Sequence, residues 1–191
     1  SLAGFYERRI RRIFPALFAM LTITAVAVSI LLTPAEVVDY AWTMLASVFS
    51  GSNILFWLDT NYFEQAAHQK PLLHTWSLSV EEQFYLIWPT LMIIAMKVGG
   101  KRLLVAAGVI LAIGSFAVSE YFLARDPSFA YYMLPSRAGE LLVGALLFLW
   151  QDSRRIPASI ANFAGILGLA LVGGSILFLD ERNGFPGIRS I

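Results

Sequence analysis

The sequence predicts an all-α protein, a polytopic transmembrane helix bundle with about five full spans and one re-entrant or interfacial segment. Of its 191 residues, 58% are hydrophobic and only 14% are charged, and the mean hydropathy is +0.67. A soluble domain has roughly 45–50% apolar and about 25% charged residues, so this composition suits lipid rather than water. The apolar residues form runs of about the length that a bilayer requires. The lipid bilayer is therefore the first partner that we expect.

The first span is predicted from Phe14 to Leu32, and Thr33-Pro34 ends it. Four arginines precede this span in the segment FYERRIRRIFP, residues 5–15. Basic residues beside a span face the cytoplasm under the positive-inside rule. The arginine end of the chain is therefore placed on the inner side, and it orients the rest of the bundle.

Residues 35–70 are interpreted as one outer connection that contains the re-entrant segment. Tyr40 to Leu58 is apolar enough to resemble a span, but Ser50-Gly51-Ser52-Asn53 interrupts it. A full crossing here would also move the basic segment 97–102 to the outer side, against the positive-inside rule. Irregular backbone is tolerated at membrane depth only where protein or a watery cavity covers it. We therefore expect this segment to be partly embedded.

Four further spans complete the prediction. They are Leu72 to Met96, Leu103 to Phe122, Tyr132 to Trp150 and Ile156 to Leu179.

The stretch PLLHTWSLSVEEQFYLIWP, residues 71–89, carries polar and ionisable groups within an apolar run. An ionisable group at membrane depth costs roughly 2.5 kcal/mol or more, so it usually faces the bundle interior and serves a function. On a helix with about 100° per residue, one narrow stripe contains His74, Ser77, Glu81 and Tyr85. A polar seam that hydrogen-bonds neighbouring helices would give the same spacing.

Within this stripe, Glu81 is the better predicted partner for His74, because Glu82 lies about 80° to one side. A carboxylate can orient an imidazole and raise its basicity, which suits general base catalysis. His74 and Glu81 are therefore the candidate catalytic residues.

The arginines suggest an anion site. Arg8, Arg9 and Arg12 have RRxxR spacing, and on a helix Arg8 and Arg12 stack one turn apart with Arg9 beside them. Arginine binds phosphate oxygens bidentately, so the cluster suits a polyphosphate. A plain topology anchor is the alternative. Because this cluster is placed inside and the stretch at 71–89 enters from outside, two sites on opposite sides suggest a reaction across the membrane.

A third polar feature, Pro135 to Glu140, lies at the start of a span. Arg137 and Glu140 are three residues apart and can pair on one helix face, either as a structural ion pair or as a substrate contact. Gly139 and Gly144 would let a neighbouring helix approach closely.

Several classes of site are excluded or disfavoured. The chain has no cysteine, which rules out a disulfide framework and a cysteine nucleophile, and two histidines make a zinc site improbable. No P-loop, GxSxG, HExxH or dinucleotide motif occurs. The net charge of +1 gives no indication of nucleic-acid binding.

Four sequence elements in order resemble the membrane acyltransferase family 3. They are FYERRIRRIFPAL at 5–17, FSGSNILFW and YF at 49–63, the stretch at 71–89, and SRAGELLVGALL at 136–147. The closest similarity is to its O-acetyltransferase branch, which modifies O-antigen, peptidoglycan and other bacterial cell-surface glycans. The resemblance implies a bundle of about ten helices in the bacterial inner membrane. It also implies transfer of an acyl group, commonly acetyl, from cytoplasmic acyl-CoA to a sugar hydroxyl at the outer face.

The resemblance further implies roles for individual residues. It makes the three arginines of the RRxxR motif acyl-CoA phosphate contacts, and it places His74, Ser77 and Glu81 in the family's central polar block and Arg137 and Glu140 in a further polar motif. We expect Ser77, Tyr85, Arg137 and Glu140 to position substrate. The family's usual catalytic histidine lies upstream of the arginine motif. We therefore expect residues 1–191 to be part of an acyltransferase domain, with N-terminal spans and a C-terminal part missing, and His74 to position substrate rather than act as the main base.

Acetyl-CoA is the implied co-substrate, and no metal or redox cofactor is implied. Some members of this branch also carry a C-terminal SGNH-type domain. Two alternatives remain open: a polytopic transporter or flippase that uses an intramembrane His/Glu site, and a purely structural membrane subunit.

Overall fold

The computed structural model describes residues 2–60, 70–151 and 158–178. These residues form seven helices and no strand, which confirms the all-α prediction. The helices are α1 (Leu2–Leu31), α2 (Pro34–Val48), α3 (Ser52–Thr60), α4 (Thr75–Leu123), α5 (Pro127–Tyr132), α6 (Leu134–Gln151) and α7 (Ala158–Phe178). Among the described residues, three segments are long and apolar enough to cross a membrane: Leu2–Leu31, Thr75–Leu123 and Pro127–Trp150.

The chain divides into two compact units, residues 1–93 and 94–191. In the first unit, α1 packs against α2, and the core consists of Leu17, Leu21, Val28, Tyr40 and Leu72. The Tyr40 hydroxyl donates a hydrogen bond of 2.6 Å to the Leu21 carbonyl oxygen. The buried Tyr40 ring and the hydrogen bond of its hydroxyl together attach α2 to the middle of α1.

The turn from α1 into α2 is set by a capping box. The Thr33 hydroxyl accepts a hydrogen bond from the Glu36 amide, and the Glu36 carboxylate accepts one from the Thr33 amide at 2.8 Å. Pro34 follows at the first helical position, where its fixed φ and missing N–H are harmless. These contacts lower the pKa of Glu36, first through the Thr33 backbone and then through its hydroxyl.

The predicted interruption at residues 50–53 is confirmed. Helix α2 ends at Val48, Ser50 takes a left-handed φ of 54°, and α3 begins at Ser52. With 15 and 9 residues, the two helices reach about 22 and 14 Å, well short of a hydrocarbon core of about 30 Å. Tyr40 to Leu58 therefore does not cross as one helix, in agreement with a re-entrant or interfacial segment.

Helix α4 contains both predicted spans between Leu72 and Phe122, and it breaks between them. At Gly100, φ is 66° and ψ is −161°, a backbone conformation that is essentially restricted to glycine. The predicted boundary between Met96 and Leu103 is thus confirmed.

In the second unit, Gly139 gives α6 close contact with α4, as predicted. A Cβ at this position would lie 3.0 Å from the Phe116 ring and 3.2 Å from the Ala112 carbonyl oxygen. The Gly139 amide donates a hydrogen bond of 2.8 Å to the Ser115 hydroxyl. At Gly144 no atom of the described residues would lie within 4 Å of an added Cβ, so close helix contact there stays a prediction.

Candidate functional site

Arg9 on α1 reaches the two adjacent glutamates of α4. Its Nε atom donates a hydrogen bond of 2.9 Å to Glu82 Oε1, and its Nη2 atom lies 3.9 Å from Glu81 Oε2. The Arg9 side chain is only 9% exposed, while that of Glu82 is 21% exposed and that of Glu81 49%. Arg9 is therefore a covered cation that contacts one enclosed and one accessible carboxylate.

Aromatic residues complete the contact around this arginine. The Arg9 guanidinium carbon lies 3.4 Å from the centroid of the Tyr85 ring, within the range of a cation–π interaction. The Tyr6 hydroxyl contacts the carbonyl oxygens of Tyr85 and Leu86 at 3.2 and 3.3 Å. Since Tyr6 meets Tyr85 and Arg9 meets Glu82, α1 and α4 run in opposite directions here and are joined mainly by long side chains.

This contact corrects the prediction that the arginine cluster and Glu81 lie on opposite sides of the membrane. Arg9 and Glu81 are 3.9 Å apart at their charged atoms. The number of lysines and arginines in each loop predicts the side of the membrane on which that loop lies. It does not predict how deep a residue within a span lies in the membrane. Because α4 runs antiparallel to α1, its glutamates return to the level of the arginines.

The predicted pairing of His74 with Glu81 is also wrong. Helix α4 begins at Thr75, so His74 precedes it, and seven residues along a helix correspond to about 10 Å. The charged neighbour of Glu81 is Arg9. Ser77 donates its hydroxyl to the His74 carbonyl oxygen at 3.1 Å, which holds the first turn of the helix.

The predicted stripe is exposed rather than buried within the first unit. His74, Ser77 and Glu81 are exposed and Tyr85 is half-buried, while Thr75, Ser79, Val80 and Phe84 form the buried face of the helix. A helical wheel gives the angles between side chains, but not which side meets the core. The exposed stripe is the face of α4 that remains available to a substrate or to another helix.

The buried face carries a chain of hydroxyl groups that the sequence interpretation missed. The Thr75 hydroxyl lies 2.8 Å from that of Ser47 and 3.0 Å from that of Ser52. The Ser52 hydroxyl lies 2.7 Å from that of Ser79. All four residues are buried, so each hydroxyl is paired where water has little access.

An amide continues this network. Gln83 Nε2 donates hydrogen bonds of 2.8 Å to the Ser50 carbonyl oxygen and to Asn53 Oδ1. The turn between α2 and α3 is thus attached to α4. The signal was present in the sequence, because Thr75, Ser79 and Gln83 are spaced four residues apart and face one side of a helix.

The other three arginines of the cluster are exposed, unlike the covered Arg9. Arg8 and Arg12 are exposed, and Arg11 pairs with Glu7 at 2.9 Å across one helical turn. Arg8 and Arg12 therefore present guanidinium groups that an external anion can reach.

In the second unit, the predicted ion pair within α6 is confirmed. Arg137 Nη1 lies 2.8 Å from Glu140 Oε1, and the Arg137 guanidinium carbon lies 5.7 Å from the centroid of Tyr131. The Arg137 side chain is mostly covered, at 13% exposure.

A cavity of about 160 Å³ lies in the first unit where α1 ends and α2 begins. Its lining includes Leu32, Glu36, Asp39, Tyr40, Lys70 and Leu72. Arg9 and Leu32 are 23 residues apart, which corresponds to about 35 Å along a helix. The arginine cluster and this cavity therefore lie towards opposite ends of α1.

Within the described ranges, no three histidine, aspartate or glutamate side chains come together as a metal site would require.

Comparison with known proteins shows the family to which the chain belongs. The family model of the acyltransferase 3 domain matches residues 1–187. The chain is 33% identical to the peptidoglycan O-acetyltransferase OatA of Listeria monocytogenes, over 97% of this chain and 31% of that protein. It is 32% identical to the putative peptidoglycan O-acetyltransferase YrhL of Bacillus subtilis, over 95% of this chain and 30% of that protein.

An uncharacterized protein of Haemophilus influenzae is 30% identical over all of this chain, which covers 82% of its length. No solved structure matches the chain. The chain thus spans about a third of the length of the two named O-acetyltransferases.

Proposed function

Because the chain belongs to the acyltransferase 3 family, we propose that it forms part of a membrane O-acetyltransferase. Its substrates in this proposal are acetyl-CoA, held from the cytoplasmic side of the bacterial inner membrane, and a hydroxyl group of a cell-envelope glycan. The names of two relatives support a glycan acceptor, since both are described as peptidoglycan O-acetyltransferases, one of them putatively. Peptidoglycan, O-antigen and exopolysaccharide are the acceptor classes that this proposal includes.

The observation that carries the proposal is the joining of an arginine cluster to an acidic pair. Arg8 and Arg12 are exposed at one end of α1, and they offer bidentate donors to the phosphates of acetyl-CoA. Arg9, which follows Arg8 directly, brings the glutamates of α4 to the same end of the helix. The phosphates of the donor would thus be bound beside the polar face of α4.

The proposed reaction is an acyl transfer from sulfur to oxygen. The acceptor hydroxyl oxygen bonds to the acyl carbon, the carbon–sulfur bond breaks, and CoA leaves with its sulfur. A general base takes the hydroxyl proton. In this proposal Glu81 and His74, on the exposed stripe, orient the hydroxyl group or accept its proton, and Ser77 and Tyr85 position the substrate.

The acceptor is proposed to enter from the end of α1 away from the arginines, where Leu72 of the cavity lining lies two residues before His74, and to extend its hydroxyl group along the stripe of α4. The cavity there carries carboxylate, hydroxyl and ammonium groups, which suit the hydroxyl groups of a sugar. In the second unit, Arg137 and Glu140 are proposed to position substrate as an ion pair.

Binding of acetyl-CoA by the intact protein in detergent tests this function. We expect saturable binding by the wild type and at least about tenfold weaker binding by an Arg8→Ala/Arg12→Ala variant, because two phosphate contacts are lost. Arg11→Ala is the matched control, since this exposed arginine pairs with Glu7 and should leave the affinity unchanged. A folded wild type that does not bind acetyl-CoA would contradict the proposal, and coupling to an ion gradient would then favour a transporter.

A further inference from the structure

We infer that Arg9 is a positioning residue for the acidic pair of α4 and not a phosphate ligand. The inference depends on the proposed function, because it divides the arginine cluster into two roles. Arg8 and Arg12 bind the donor, while Arg9 holds Glu82 and thereby places Glu81.

The first argument is access. The Arg9 side chain is 9% exposed, whereas Arg8 and Arg12 are exposed. A phosphate bound by Arg9 would have to displace groups that already surround it. The same RRxxR motif therefore contains arginines in two different environments.

The second argument is that the Nε donor and the flat face of Arg9 are already engaged. The Nε atom donates to Glu82 at 2.9 Å, and the guanidinium lies over Tyr85 at 3.4 Å. A guanidinium has five N–H donors in a rigid fork, and here the Nε side of that fork meets a carboxylate. The Nε side and one face of the guanidinium are thus committed to α4.

The third argument is the division of charge between the two glutamates. Glu82 takes the short hydrogen bond and is 21% exposed, while Glu81 lies 3.9 Å away and is 49% exposed. Two carboxylates face one covered cation, so the cation balances only part of their charge. Glu82 is the anchored carboxylate, and Glu81 is the accessible one.

These contacts also fix the rotation of α4. Tyr85 lies one turn beyond Glu81 and is held both by the Arg9 guanidinium and, through its carbonyl oxygen, by Tyr6. With Glu82 and Tyr85 anchored to α1, the exposed stripe of α4 faces one direction. Loss of Arg9 should therefore disturb Glu81 without removing a donor contact.

This role predicts a specific kinetic pattern for the intact protein in proteoliposomes with acetyl-CoA and a glycan acceptor. We expect Arg9→Gln to lower kcat at least about tenfold while changing the Kd for acetyl-CoA by less than about twofold. Arg9→Lys should be nearly as slow, because an ammonium cannot reproduce the fork and the stacking together. Arg8→Gln should instead raise the Kd for acetyl-CoA.

A double-mutant cycle between Arg9 and Glu82 tests whether the arginine acts through the glutamate. If it does, Arg9→Gln/Glu82→Gln should lower kcat no more than the worse single variant. Additive losses, together with an Arg9→Gln Kd raised as much as in Arg8→Gln, would overturn the inference.

Thermal unfolding of the same variants separates positioning from a purely structural role. A lower Tm with wild-type kcat per folded molecule would also overturn the inference. Failure of the proposed function is distinguishable, because the wild type would then show no acetyl-CoA binding before any variant is compared. The inference alone fails when the wild type binds and Arg9→Gln loses that binding.

Discussion

Two polar regions hold α4 within the first unit, and they use different chemistry. The first is the ion pair of Arg9 with Glu82, stacked on Tyr85. The second is the neutral network of Ser47, Ser52, Thr75 and Ser79. Hydroxyl pairs are inexpensive to bury, whereas a charge left without its partner is costly. The neutral network therefore suits a purely structural joint, and the ion pair suits a place where charge serves a function.

Removing one member of the ion pair should cause the largest loss in the free energy of unfolding. Glu82→Ala leaves the covered Arg9 without its short hydrogen bond, and we expect the free energy of unfolding to fall by about 2–3 kcal/mol, less than for a fully buried pair. Thermal or denaturant unfolding in detergent measures this change. Glu7→Ala is the control, because its exposed pair with Arg11 should contribute less than about 1 kcal/mol. Equal effects of the two substitutions would contradict the difference in burial.

Removing a hydroxyl from the neutral network should lower the free energy of unfolding by less. Thr75→Val keeps the shape of the side chain but removes the hydroxyl that contacts Ser47 and Ser52, so we expect a loss of about 1–2 kcal/mol. The same unfolding measurement applies. Thr22→Val is a matched control, since Thr22 is exposed and bonds only to its own helix at Phe18. A Thr75→Val loss larger than that of Glu82→Ala would reverse the comparison.

The smallest effect concerns an exposed charge at the start of α2. The pKa of Glu36 is lowered by its hydrogen bonds to Thr33, so its contribution to stability is present above the ordinary value of 4.5. That contribution is lost as the pH falls through the lower pKa of the folded state. We expect Glu36→Gln to remove this part of the acid dependence of unfolding. An unchanged dependence between pH 5 and pH 3 would show that the capping box is not formed in solution.

Features that depend on local sequence could be predicted. The break at residues 50–53, the boundary near Gly100 and the pair of Arg137 with Glu140 follow from residues close in the chain. Glycine, serine and asparagine restrict where a helix can continue, and spacing of three residues places two side chains together.

Features that depend on the pairing of distant segments could not be predicted. Arg9 and Glu82 are separated by 73 residues, and their contact depends on how α1 and α4 are aligned. A helical wheel grouped Ser77 with Glu81 on one face of α4, but it could not tell that this face points away from the core. It also assumed a helix through His74, where α4 has not yet begun.

The hydroxyl network has a consequence for motion as well as for stability. Ser52 and Thr75 are the first residues of α3 and α4, and the first turn of a helix normally frays because its amides lack partners. Here the Ser52 amide donates to the Ser79 hydroxyl, and Thr75 is fixed from two other helices. Two helix ends that would otherwise open therefore stay closed, and slow amide hydrogen exchange should begin at their first turns. His74 directly precedes Thr75 and is therefore attached to a helix end that two other helices hold.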